Sequence, residues 1–114
     1  MSKQRKFEKV RVFYEKRATI LKALAHPVRL FIIDELAKKE KCVCELRDLV
    51  GSDISTVSKH LLLLKNAGLV KDRKQGLQVF YSLQVSCVLK FFDCVEAVIG
   101  AEQQRYQATR RKAA

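Results

Sequence analysis

The sequence predicts a mainly α-helical domain carrying one small β-hairpin. Three observations predict it. Apolar residues recur at helical spacing through most of the 114 residues; the one proline and four glycines fall where elements should change; and after Gly68 the period turns from helical to extended. No internal repeat or low-complexity segment is present. With 48% apolar residues the chain can bury a core, while a domain this small leaves much surface exposed and gains stability by oligomerising.

The elements follow in order. Phe7, Val10, Phe13, Tyr14, Ile20, Leu21 and Leu24 form one apolar stripe on a first helix, and its aromatics suit packing against a second subunit. Pro27 suits the first turn of a second helix, where its missing N–H costs nothing, with Val28, Phe31, Ile32 and Leu36 as the buried face. Lys38 to Lys41 read as a solvated connection. A short third helix from Cys44 to Val50 turns Leu46, Leu49 and Val50 inward, and Gly51 ends it. Ser52 or Asp53 caps a fourth helix, lined by Ile54, Val57, Leu61 and Leu64 and stopped by Gly68. Leu69 and Val70 begin a strand, the polar stretch Lys71 to Gly76 turns the chain, and Val79 to Leu83 returns it. From about Ser86, Val88, Phe92, Val95 and Ile99, with Phe91 and Val98 beside them, give a last amphipathic helix.

Two short helices joined by a tight turn containing Gly, followed at once by a basic hairpin, have the layout of a winged helix-turn-helix. In that layout the second helix enters the major groove of DNA with its N-terminal residues at base edges, and the first crosses the backbone. Ser55, Thr56, Ser58, Lys59 and His60 occupy the outward positions near the start of the second helix, where hydroxyls, an ammonium and an imidazole meet bases or phosphates. Arg73, Lys74, Gln75 and Gln78 offer a second contact from the hairpin. The expected partner is therefore double-stranded DNA.

Four segments fall in a recognisable order: Ala25-His26-Pro27-Val28-Arg29-Leu30, Ser55-Thr56-Val57-Ser58-Lys59-His60-Leu61, Ala67-Gly68-Leu69-Val70, and Gly76 with Phe80-Tyr81-Ser82-Leu83. Together they resemble the ArsR/SmtB family of bacterial and archaeal repressors over roughly residues 18 to 100. The resemblance implies a homodimer built by the first and last helices, two winged helix-turn-helix units on an imperfect palindrome, and release from operator DNA when an inducer binds. Half-sites should then lie about one helical turn, roughly 34 to 36 Å, apart. One departure lies in the wing, where Leu77 follows Gly76 in place of the basic residue that the family pattern leads one to expect.

Cys42 and Cys44 are the sharpest chemical signal. Thiolate is the ligand and nucleophile, a helix N-terminus and nearby cations favour that form, and Lys38, Lys39 and Lys41 supply charge. Such a pair favours soft, thiophilic ions such as arsenite, antimonite, cadmium or lead, and the resemblance favours arsenite or antimonite among them. On a regular helix residues i and i+2 point about 200° apart, so shared chelation requires the first turn to unwind. The resemblance places a metal or metalloid site here, although arsenite binders of the family often add a third cysteine where this chain has Arg47. Cys87 and Cys94 share a face of the last helix, about 10.5 Å apart along it. They read as small apolar residues at a dimer seam, as a further ligand, or as a redox pair. The alternative function is a thiol-based redox or persulfide-sensing repressor of the same fold. The family's zinc site on the last helix uses Asp and His, and this helix holds no His.

The formal charge of +11 points to a polyanion. It is concentrated in residues 1–17, a basic arm and the start of the first helix (net +5), and in a basic tail at 102–114 (net +3), leaving +3 for the domain at 18–101. An enzyme is not expected, since neither histidine has an evident nucleophile and carboxylate partner and no Gly-rich phosphate loop occurs. The cysteine spacing fits no iron–sulfur motif. A merely architectural nucleic-acid binder leaves Cys42 and Cys44 unexplained. The N-terminus lacks the apolar run of a secretory signal and no stretch is long enough to span a membrane, so a cytoplasmic protein with reduced thiols is expected.

Overall fold

A computed structural model describes residues 5–113, with side chains to Arg105. Its order is α1 (Lys6–Leu24), α2 (Pro27–Lys38), β1 (Lys41–Cys42), α3 (Val43–Val50), α4 (Ile54–Asn66), β2 (Val70–Gln75), β3 (Gln78–Leu83) and α5 (Val88–Ala113). The expected helices and hairpin are present, joined by an additional strand. β1 pairs antiparallel with β3 through Lys41 with Tyr81 and Cys42 with Phe80, giving a three-stranded sheet in the order β1-β3-β2.

This strand corrects the reading of Lys38 to Lys41 as a solvated connection. Lys41 is buried because its backbone completes the sheet and its Nζ donates to the Glu35 carbonyl at 2.7 Å. The hairpin also turns later than expected: Lys71 to Gln75 are strand, paired in register from Val70 with Leu83 to Gln75 with Gln78. The turn itself is Gly76-Leu77. Gly76 has φ +62 and Leu77 does not have positive φ, the pattern of a type II′ turn, which demands glycine first. The ribbon is polar because residues 71–78 are exposed, so alternation failed as a guide there.

Ile32, Ile33, Leu36, Leu46, Val57, Leu61, Leu64 and Val70 form the centre of the core. Ile33 takes the inward place expected for Phe31, which stays exposed; Leu49 and Ile54 are exposed as well, because the short helices α3 and α4 cover only their middle positions. Gly100 lies inside α5 rather than at a boundary, and the tail from 102 continues that helix to Ala113.

The terminal helices behave differently from the centre. On α1 only Leu24 is buried, while Phe7, Phe13, Tyr14, Ile20 and Leu21 are exposed, as are Phe91, Val95, Val98 and Ile99 on α5. The radius of gyration is 19.0 Å, against roughly 13 Å for a compact chain of this length. Both helices therefore project apolar faces that the subunit itself leaves uncovered. An open apolar cavity of about 540 Å³ lies between α1, α2 and α5, lined by residues including Leu21, Leu24, Leu30, Phe91, Val95 and Ile99.

Candidate nucleic-acid interface and thiol site

Gly51, with φ +80, ends α3 in the left-handed conformation and its N–H closes onto the Arg47 carbonyl at 2.8 Å. Two residues later Asp53 stands at the N-cap position of α4, but its side chain makes no cap hydrogen bond to the helix backbone. Val57, Leu61 and Leu64 bury one side of α4, and this leaves Ser55, Thr56, Ser58 and Lys59 exposed on the other. Both the Ser55 and Thr56 hydroxyls donate to the Asp53 carboxylate, which they hold below its ordinary pKa. Their protons are thus committed within the chain, so toward DNA these hydroxyls offer acceptor lone pairs, suited to base amino groups rather than phosphate.

The wing carries Arg73, Lys74, Gln75 and Gln78, all exposed. Arg73 is not free. Its Nη2 pairs with Glu40 Oε1 at 2.5 Å, its Nη1 donates to Gln75 Oε1 at 2.8 Å, and its guanidinium lies 5.0 Å from the Phe80 ring across the ladder. This pairing holds the Glu40 carboxyl below its usual range. Lys65 of α4 donates to Asp72 of β2 at 3.0 Å, tying the wing to α4. Leu77 is fully exposed at the tip.

Cys42 and Cys44 occupy unlike places. Cys42 is buried in β1 and is the N-cap of α3, so it lies outside the helical turn that sequence spacing placed it in. Its Sγ accepts from the Glu45 N–H at 3.4 Å, and Glu45 Oε1 accepts from the Cys42 N–H at 3.3 Å, a capping box with sulfur as the cap. Cys44 is exposed on the first turn. Of the three lysines expected to surround the pair, Lys41 is turned to the Glu35 carbonyl and Lys38 to the Glu35 carboxylate. Cys87 precedes α5 instead of sharing its face with Cys94, and both are exposed. Among the described residues no three His, Cys, Asp or Glu side chains gather into a metal site, so Cys87 and Cys94 do not complete the pair within one subunit.

His60 departs from the expected outward face. It is half-buried, its ring centroid 4.5 Å from that of His26 and its Nδ1 3.1 Å from Arg29 Nη1. It is partly covered there because α4 packs against α2 on that side. The sequence marks Arg29 only by its place in the Ala25 to Leu30 segment, and nothing in the spacing reveals its contact with His60, 31 residues away.

A helix-turn-helix braced by a three-stranded sheet, with polar residues left exposed on α4 and on a basic ribbon, defines a winged helix-turn-helix DNA-binding protein. Residues 26–72 match the family described as bacterial regulatory protein, arsR family. The chain is also 42% identical over 84 residues to an uncharacterized HTH-type transcriptional regulator of Methanocaldococcus jannaschii, covering 70% of this chain and 94% of that protein. The chain belongs to the ArsR/SmtB family of transcriptional regulators, and it is a regulator and not an enzyme.

Other relatives sharpen the comparison. A cadmium resistance transcriptional regulatory protein CadC homolog of Staphylococcus aureus is 43% identical over 67 residues, 58% of this chain and 55% of that protein. A homodimeric winged helix-turn-helix DNA-binding domain from Mycobacterium bovis, described as a possible ArsR-family transcriptional regulator, superposes with a TM-score of 0.72 at 31% identity, covering 88% of this chain and 91% of that one. Among the described residues no helix is long and apolar enough to cross a membrane.

Proposed function

We propose that this protein is a homodimeric repressor that holds operator DNA with α4 in the major groove and the β2–β3 wing on the adjacent backbone, and that is released when a thiophilic metalloid or metal ion binds Cys42 and Cys44. Thiolate donors suit soft, thiophilic ions; arsenite or antimonite is the favoured inducer by the resemblance of the Cys42 and Cys44 site to the family's metalloid site, with cadmium or lead as the alternatives. Base contacts fall to Ser55, Thr56, Ser58 and Lys59, and backbone contacts to Lys74, Gln75 and a released Arg73. The basic ends at 1–17 and 102–114 set affinity and salt dependence. The uncovered faces of α1 and α5 support the dimer, as does the homodimeric relative from Mycobacterium bovis.

The observation that carries the inducible step is that Cys42 Sγ is itself the cap of α3, the helix against which α4 packs. A metal bound through that sulfur competes with the Glu45 N–H for it. Occupancy thereby loosens the start of α3 and displaces α4 from the geometry that fits DNA. By linkage, DNA weakens inducer affinity by the same factor, typically about 1 to 3 kcal/mol. Two thiols are the donors this subunit brings; a small thiol, water or the other subunit fills any remaining position. Sulfur-to-metalloid ultraviolet absorption should rise on titrating the reduced protein with arsenite, saturating at one ion per subunit, and footprinting should show two protected half-sites about one helical turn apart. An unchanged spectrum in the wild type rejects the inducer site.

A second reading, a thiol-based redox or persulfide sensor, is favoured by the exposure of Cys44, Cys87 and Cys94 as free thiols. Release of DNA by oxidant or polysulfide, with no response to the soft ions, would select it.

A further inference from the structure

The middle of α4 is held by a junction that neither the DNA face nor the thiol site uses. Arg29 donates from Nε to the Ala23 carbonyl at 2.6 Å and from Nη2 to the Lys22 carbonyl at 3.3 Å, both at the end of α1. Its third contact is Nη1 to His60 Nδ1 at 3.1 Å. Behind His60 stands His26, whose own Nδ1 accepts the Val28 N–H at 3.1 Å as the cap of α2. One arginine thus joins α1, α2 and α4.

Hydrogen-bond chemistry fixes the state of the His60 ring in this arrangement. A guanidinium only donates, so His60 Nδ1 accepts and carries a lone pair. The His60 imidazole in this contact is therefore neutral, with the proton on Nε2. A second proton on His60 lands on the nitrogen already used as acceptor and breaks the bond to Arg29.

We propose that Arg29 and His60, with His26 behind them, are positioning residues for DNA reading: a brace that fixes α4 against the end of α1 only while the His60 ring is neutral, so that acidification weakens specific binding. This rests on the reading of α4 as the groove helix. Burial first, then His26 and Arg29, hold His60 below its ordinary value, so its neutral form predominates at neutral pH. Other charged groups around α4 are engaged elsewhere or point out: Lys65 pairs with Asp72 of β2, Arg47 with Asp48 and Glu45 with Cys42 on α3, and Lys59 is exposed beside His60. From α1 the brace receives backbone carbonyls.

The sign separates this brace from general electrostatics. Acid adds positive charge and by itself tightens binding to a polyanion. The brace predicts the opposite. Duplexes selected from a random pool by the wild-type dimer should lose roughly tenfold in affinity as pH falls from about 7.5 to about 5.5 at constant ionic strength, the effect of a one-unit difference between bound and free ionisation. His60→Gln retains an acceptor that does not titrate; whatever its affinity at the higher pH, it should show no acid weakening. A wild type that tightens in acid, or a His60→Gln variant that follows the wild-type curve, overturns the proposal. Imidazole ¹⁵N spectra of the wild-type protein test the brace without DNA: His60 should be the Nε2–H tautomer, and a protonated Nδ1 on His60 at neutral pH overturns it even if every variant fails to fold. Failure to select any preferred duplex contradicts the reading of α4 itself, a separate outcome.

Discussion

Cys42 and Glu45 cap each other: the sulfur takes the N–H of Glu45, and the Glu45 carboxylate takes the N–H of Cys42. A residue type associated with metal binding is therefore holding the helix start, and under the proposed function both roles would fall on one atom. The same bonds hold the Glu45 carboxyl below its usual pKa range. Lowering pH to the point where Glu45 protonates removes its half of the box, so the contribution is present above the unfolded carboxylate value and is lost as pH falls through the folded one.

Capping makes the first prediction. Cys42→Ser keeps a side-chain acceptor at the N-cap, whereas Cys42→Ala removes it, so the alanine variant should be less stable than the serine variant by about 1 kcal/mol. Urea unfolding in reducing buffer measures it. Equal midpoints for the two variants would show that the sulfur cap contributes nothing.

Arg73 makes the second. Glu40 holds its guanidinium on the wing, and Glu40→Gln should release it to phosphate. Affinity should rise at low salt and the salt dependence should steepen by about one counterion per subunit. An unchanged slope means that Arg73 stays off the backbone.

Asp53 makes the third. Its carboxylate orients Ser55 and Thr56 and adds a negative charge where DNA phosphates approach. Asp53→Asn should bind random-sequence DNA more tightly and discriminate less among half-site variants. Competition binding with matched and single-substituted duplexes reads both effects; undiminished discrimination would show that the hydroxyls do not read bases.

The uncovered faces of α1 and α5 make the fourth. Val98→Glu places a carboxylate in an apolar surface with 64% of Val98 exposed in the single subunit. The variant should sediment as a monomer and bind an operator far more weakly, since both half-sites are then no longer held together. A stable dimer would place the interface elsewhere.

Much of this was legible from pattern. Helix starts and stops at Pro27, Gly51 and Gly68 follow from local chemistry, and so does the core of α4 at Val57, Leu61 and Leu64. What was not legible depends on partners distant in sequence. Lys41 is buried only because β3 comes back beside it, 40 residues later, and a two-residue strand has no pattern of its own. His60 looks like any polar residue on a helix until α2 packs against that face. Polar strand β2 reads as a loop because neither of its faces is covered beyond Val70. The pair Cys42 and Cys44 was visible as thiols; that one of them is a cap and the other exposed required the fold.

Induction as proposed requires the sulfur that caps α3 to be also the sensor. The direct measurement is anisotropy of operator DNA bound to the reduced protein during titration with arsenite, antimonite, cadmium, lead and zinc, with a Cys42→Ser, Cys44→Ser variant alongside. Release of DNA from the wild type by at least one soft ion, with the variant still bound at the same concentrations, is the predicted result; release that persists in the variant would contradict it.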